Sequence, residues 1–168
     1  MEYKAVAFTG PSNSGKTTLI EKIAKKLVPD RAVAIIKHDP SDKARFDREG
    51  KDSDRFFKTG AETAVLSPTR TTLFSHRPRT IEEVARLFGE FDLLMVEGLK
   101  HFPLPRIGIF RGTIDPDYLD VLQAVAVDQT VPDEELSALP DRIEVLDLND
   151  IDAIIRWIDR HATLLKKD

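Results

Sequence analysis

Short apolar runs rich in β-branched residues alternate with amphipathic stretches along nearly the whole chain. Positions 3–8 (YKAVAF) read as a strand that stops at Thr9 and Gly10. Positions 16–28 predict a helix. Leu19, Ile20, Ile23, Ala24, Leu27 and Val28 fall on one face, and Lys22, Lys25 and Lys26 fall elsewhere. A second buried strand is expected at 31–36 (RAVAII), followed by a polar stretch at 38–54 with no steady period. A short helix is expected at 56–59, closed by Gly60. Two short strands at 62–66 and 71–74 predict a hairpin around Ser67 and Pro68. The helix at 80–88 opens with Thr80 and Glu83 at capping-box spacing and turns Ile81, Val84, Ala85 and Phe88 inward. Positions 92–96 (DLLMV) have the composition of a central strand, and further strands are expected at 106–110, 121–127 and 143–148. A helical turn at 132–136 and a last helix, capped by Asn149 and carrying Ile151, Ile154, Ile155 and Ile158 inside, complete the pattern.

Parallel strands need long crossovers, and crossover helices cover both faces of the sheet they connect. The alternation therefore predicts an α/β fold with a mostly parallel sheet between two helical layers. The 168 residues suit a single domain, expected to span 1–168. A composition of 41% hydrophobic and 32% charged residues excludes disorder. The absence of cysteine excludes disulfides, zinc–thiolate centres, iron–sulfur clusters and thiol catalysis. A net charge of −4, from 25 basic and 29 acidic residues, argues against a general nucleic-acid binder. The apolar runs are too short to cross a bilayer and no signal-peptide core follows the first residues, so the expected location is the cytoplasm, with no membrane partner.

The strongest chemical signal is Gly10, Pro11, Ser12, Asn13, Ser14, Gly15, Lys16 and Thr17, which fits G-x-x-x-x-G-K-[ST] between a strand and a helix. Glycines let the backbone curl so that successive N–H groups point at phosphate oxygens, and the helix N-terminus adds partial positive charge. Lys16 is expected on the β- and γ-phosphates and Thr17 on Mg²⁺. The fold expectation sharpens to a P-loop NTPase-like three-layer α/β/α. A magnesium site needs an acid nearby. Glu97, after four apolar residues, is placed at the carboxyl end of a central strand beside the loop, where it orients metal-bound or attacking water.

Lys37, His38 and Asp39 follow the second strand and should open onto the same face. Asp39 is a further metal candidate, and Lys37 or His38 a phosphate contact; a plain loop histidine is the other reading of His38. No N-K-x-D guanine motif exists. If guanine is selected, Asp128 at the end of a late strand has the expected position, and a turn aspartate is the competing reading. Gly50, Lys51, Asp52 and Ser53 form a compact polar group within the long loop. Lys100, Arg106 and Arg111 are candidates for a second anion site.

Together these motifs resemble the MobB family, the molybdopterin-guanine dinucleotide biosynthesis proteins. The resemblance rests on GPSNSGKTT at 10–18, ending at Thr18, then Lys37-His38-Asp39, Gly50-Lys51-Asp52-Ser53, Gly60-Ala61, DLLMVEGLK at 92–100 and RIGIFR at 106–111, all in family order, and spans nearly the whole chain. It implies a P-loop fold, a homodimer, GTP binding with Mg²⁺ and slow hydrolysis. It also implies an adapter role beside the MobA-type guanylyltransferase that joins GMP to molybdopterin, with molybdopterin as a further ligand. Gly15, Lys16 and Thr17 carry over as phosphate and magnesium residues, and Glu97 as the Walker-B-like acid. The chain departs from the family at Arg106, where lysine is common, and at Pro40, Ser41 and Asp42, where histidines are common. A small-molecule kinase is the alternative, with Asp39 or Asp52 as base, but no arginine-rich lid follows the third helix.

Overall fold

The computed structural model describes residues 2–166. Its contacts divide the chain into two compact units, where the sequence reading drew one domain. One runs up to His38 and resumes at Val84; the other is Asp39–Glu83.

The first unit is built on a seven-stranded sheet. β1 (Glu2–Thr9) lies between β5 (Leu93–Glu97) and β6 (Arg106–Phe110), all parallel. β2 (Val33–Lys37) adds outside β5, while β7 (Ala124–Val127) and β8 (Glu144–Asp147) extend the other side. All five residues of β5 and of β6 and all four of β7 are buried, as strands covered on both faces require. Edge strand β2 is only partly buried.

Helix α1 (Lys16–Leu27) and helix α5 (Ile151–His161) share one face of the sheet. There Leu19, Ile20, Ile23, Ile154, Trp157 and Ile158 pack with Val6, Phe8, Met95, Ile107 and Ala126. On the opposite face, Phe110, Leu122, Val125, Val127 and Ile143 form a second cluster. Leu136 of the short helix α4 (Asp133–Ser137) and Tyr118 of a 3-10 turn at Pro116–Val121 pack against it.

Several elements differ from the pattern-based expectation. The strand expected at 121–127 begins only at Ala124, because Pro116–Val121 winds into the 3-10 turn, capped by Asp115 Oδ1, which accepts from the Asp117 N–H at 3.0 Å. Asp150, not Asn149, caps α5, its Oδ1 accepting from Ala153 N–H at 2.8 Å. A ninth strand, β9 (Thr163–Lys166), was not foreseen. It runs antiparallel along Glu2–Ala5 of β1, which extend beyond the Ala7–Thr9 stretch paired with β6. Among the described residues no helix is long and apolar enough to cross a membrane.

The second unit holds helix α2 (Asp52–Phe57) and the hairpin of β3 (Thr63–Leu66) and β4 (Thr71–Phe74), in register from Thr63↔Phe74 to Leu66↔Thr71. The Gly50 to Ser53 group is the start of α2. Gly50 takes φ +81° and donates its N–H to Asp54 Oδ2 at 2.8 Å. The helix therefore begins four residues before position 56, with Asp52 and Asp54 in its favourable first turn. The Phe57 ring stacks on His76 at 3.8 Å. Helix α3 (Ile81–Leu87) returns the chain to the first unit. Its capping box forms as expected: Thr80 N–H donates to Glu83 Oε2 and Glu83 N–H to Thr80 Oγ1.

Candidate functional site

The loop between β1 and α1 curls because three of its residues adopt positive φ: Gly10 at +143°, Asn13 at +63° and Gly15 at +101°. At Gly10 a side chain is excluded twice, by the backbone angle and by space. A Cβ there would stand 2.4 Å from the carbonyl oxygen of Ile109. Gly15 takes the left-handed conformation at the N-cap of α1. The first N–H groups of the helix have no partner within it, so they are available to an anion. Ser14 Oγ is buried in the loop without a hydrogen-bond partner, an orphaned polar atom of the kind a bound oxyanion would satisfy.

Lys16 folds back over the loop. Its Nζ donates to the Gly10 carbonyl at 3.0 Å and the Pro11 carbonyl at 2.6 Å. Burial lowers its ammonium below the usual lysine range, against the opposing pull of Glu97, and Lys37 lowers it further. Lys16 thus senses the charges of both Glu97 and Lys37.

Glu97 reaches this point through strand register. β5 is neighbour to β1 on one side and β2 on the other, with Phe8↔Glu97 and Lys37↔Glu97 as facing pairs. The largely buried carboxylate accepts from Thr17 Oγ1 at 3.4 Å through Oε2 and from Lys37 Nζ at 2.9 Å through Oε1. Its backbone is fixed on both sides: Glu97 carbonyl accepts from His38 N–H and Gly98 N–H donates to the Phe8 carbonyl, each at 2.9 Å. Immediately afterwards Gly98 and Leu99 take φ +92° and +48°.

Arg106 holds that turn. It is 1% exposed, and its guanidinium donates to the carbonyls of Gly98, Leu99 and Phe102 at 2.8 to 2.9 Å. Desolvation lowers its pKa from the ordinary arginine value. The anion cluster expected from Lys100, Arg106 and Arg111 does not form. Arg106 serves carbonyls, Lys100 lies 4.5 Å above the Tyr118 ring centroid, and Arg111 pairs with Asp128 at 3.4 Å. The sequence signal missed was the arginine opening a fully apolar strand: such a cation must find carbonyls or carboxylates when the strand is buried.

The other sequence candidates have the following places. Pro11, Ser12, Asn13 and Ser14 line a recess of about 510 Å³ with Arg111, Thr113 and Ile114. Thr18 and Gly15 border a second recess with Lys22, Arg111 and Asn149. Lys37 is on Glu97 rather than free to face a phosphate. The Asp39 carboxylate accepts from the backbone N–H groups of Ser41, Lys43 and Ala44, organising the loop it begins. Asp128 stands at the end of β7, as expected. Its Oδ1 accepts from Thr130 N–H and Oγ1, and the Thr130 hydroxyl is the chief cause holding its carboxyl below the usual range, with Arg111 helping.

Among the described residues no three His, Cys, Asp or Glu side chains gather. A cation beside Thr17 and Glu97 would take one hydroxyl and one carboxylate from the protein and fill its shell with phosphate and water oxygens. That donor set suits Mg²⁺.

Residues 5–129 match the family MobB, molybdopterin guanine dinucleotide synthesis protein B. The molybdopterin-guanine dinucleotide biosynthesis adapter protein of Escherichia coli is 32% identical over 172 aligned positions, covering 92% of this chain and 93% of that protein. Its Haemophilus influenzae counterpart is 30% identical, covering 92% and 86%. The crystal structure of Bacillus subtilis MobB superposes with a TM-score of 0.73 at 26% identity, covering 95% of this chain and 98% of that one.

Proposed function

Because the chain belongs to the MobB family, we propose that it is an adapter protein of molybdopterin-guanine dinucleotide biosynthesis that binds GTP with Mg²⁺ and hydrolyses it slowly. The observation that carries the nucleotide part is the curled loop with Thr17 and Glu97 facing each other at 3.4 Å. The loop N–H groups and Lys16 take the β- and γ-phosphates. Thr17 and Glu97 hold the cation, which when bound neutralises phosphate charge. Glu97 also orients metal-bound or attacking water. Asp39 is left out of the metal set, its carboxylate being engaged by its own loop.

Asp128 is the proposed reader of the guanine N1–H and N2–H₂ groups, in exchange for Arg111. The relatives' names support the pathway. Within it the chain acts in the cytoplasm as a homodimer beside a MobA-type guanylyltransferase, with the pterin product or substrate close by.

Calorimetric titration with GTP and ATP, with and without Mg²⁺, tests this reading. Micromolar GTP binding that tightens with Mg²⁺ is expected, and Glu97→Gln should abolish the tightening while leaving metal-free binding. No heat from any purine triphosphate would refute it. Transfer of the γ-phosphoryl group to a metabolite would replace the adapter with a kinase.

A further inference from the structure

The ammonium of Lys37 occupies a position on Glu97 that a metal ion would want. Lys37 and Glu97 are register partners on adjacent parallel strands, so their side chains leave the same face of the sheet about 4.8 Å apart. The carboxylate side chain is 10% exposed, and that of Lys37 is 59% exposed. A carboxylate this enclosed needs a counter-charge. Lys37 supplies it at 2.9 Å through Oε1, and Oε2 is left toward Thr17. Lys16 stays on the loop carbonyls and does not make this contact.

We propose that Lys37 is the resident counter-ion of Glu97, exchanged for the divalent cation when the site loads. The proposal rests on the nucleotide reading above and adds to it the competitor that the cation must displace. In the metal-free protein the ammonium keeps Glu97 neutralised and aimed at Thr17. Glu97 and Thr17 would hold the cation, and the exposed lysine stem lets the ammonium move to solvent without repacking. The exchange has a direction. Lys37 stabilises the metal-free state, so it weakens cation binding by the strength of its own ion pair. Removing its charge should therefore tighten cation binding, the opposite of what a phosphate-contacting lysine would do to nucleotide binding.

The test titrates nucleotide-free protein with Mn²⁺, followed by electron paramagnetic resonance of the free ion. Lys37→Gln should bind Mn²⁺ at least about fivefold more tightly than the unaltered protein, which corresponds to about 1 kcal/mol. Lys37→Arg keeps the charge and should stay within about twofold of the unaltered protein. Adding Glu97→Gln to Lys37→Gln should erase the gain. Equal Mn²⁺ affinity in Lys37→Gln and the unaltered protein overturns the proposal, as does a Lys37→Arg that gains as much as Lys37→Gln. Circular-dichroism melting of each variant confirms that a folded chain is being read. Binding of a fluorescent GTP analogue in EDTA, on the same samples, separates the two ideas. Absence of that binding in the unaltered protein, with the Mn²⁺ gain intact, refutes the nucleotide reading alone; analogue binding in the unaltered protein without the Mn²⁺ gain refutes the counter-ion alone.

Discussion

Single positions in this protein are decided by what their neighbours leave unsatisfied. At Lys16 the ammonium rests on two loop carbonyls, which a triphosphate would replace with stronger charged acceptors. Lys16→Ala should lower GTP affinity at least about 100-fold, or about 2.7 kcal/mol. Its melting temperature should stay within about 3 °C of the parent, since it removes a half-exposed side chain and no core contact. Calorimetry and thermal melting check both halves. Asp128→Asn keeps the Oδ1 acceptor for Thr130 and removes the charge that faces Arg111. If Asp128 reads the base, GTP should weaken at least about fivefold more than ATP in competition binding, and equal losses would take Asp128 out of base recognition. At this scale the sequence is legible only where a motif names the residue. Gly10, Gly15, Lys16 and Thr17 are in that class. Arg106 is not: its place at the head of an apolar strand marks a cation that needs acceptors, but which three carbonyls it meets is set by the turn folded over it.

Elements are held to one another by a few ion pairs whose effect depends on pH. Helix α5 is tied to the segment before β2 by Asp159, which accepts from Arg31 Nη1 at 2.6 Å and Nη2 at 3.1 Å. The Arg31 guanidinium holds the Asp159 carboxyl below the usual range. A carboxyl depressed in the folded state stabilises above its unfolded pKa, near 4 for aspartate, and loses that contribution as pH falls through the folded value. Urea midpoints should therefore decline on acidification below about pH 4. Arg31→Gln should flatten that decline, its gap to the parent closing as the pH falls through the depressed value of Asp159; an unchanged slope would remove this pair from the acid response. Helix and strand types were largely readable from periodicity, because burial on one or both faces imposes it. Thr163–Lys166 was not, since four residues after a helix carry too little pattern to reveal that they pair with β1.

The whole chain comprises two units of different solidity. Strands β1, β5, β6 and β7 bury nearly every side chain, whereas α2 buries none and β3 only Thr63. Local opening costs little where few apolar contacts must be broken. Amide hydrogens of 52–57 and 63–74 should exchange with opening free energies at least about 2 kcal/mol below those of β1 and β5. Uniform protection across both units in native-state exchange mass spectrometry would contradict this.

By itself the sequence determined the alternation of strands and helices, the glycine-bearing loop between β1 and α1, and the family. Each of these is written in short stretches of chain, where a glycine, a capping residue or an apolar period acts on its immediate neighbours. Tertiary structure alone decided that Lys37 rests on Glu97, that Arg106 braces the turn behind it, and that β9 completes β1. Those facts depend on which strands lie side by side and in what register. Register is fixed by the summed burial of the whole sheet rather than by any one segment.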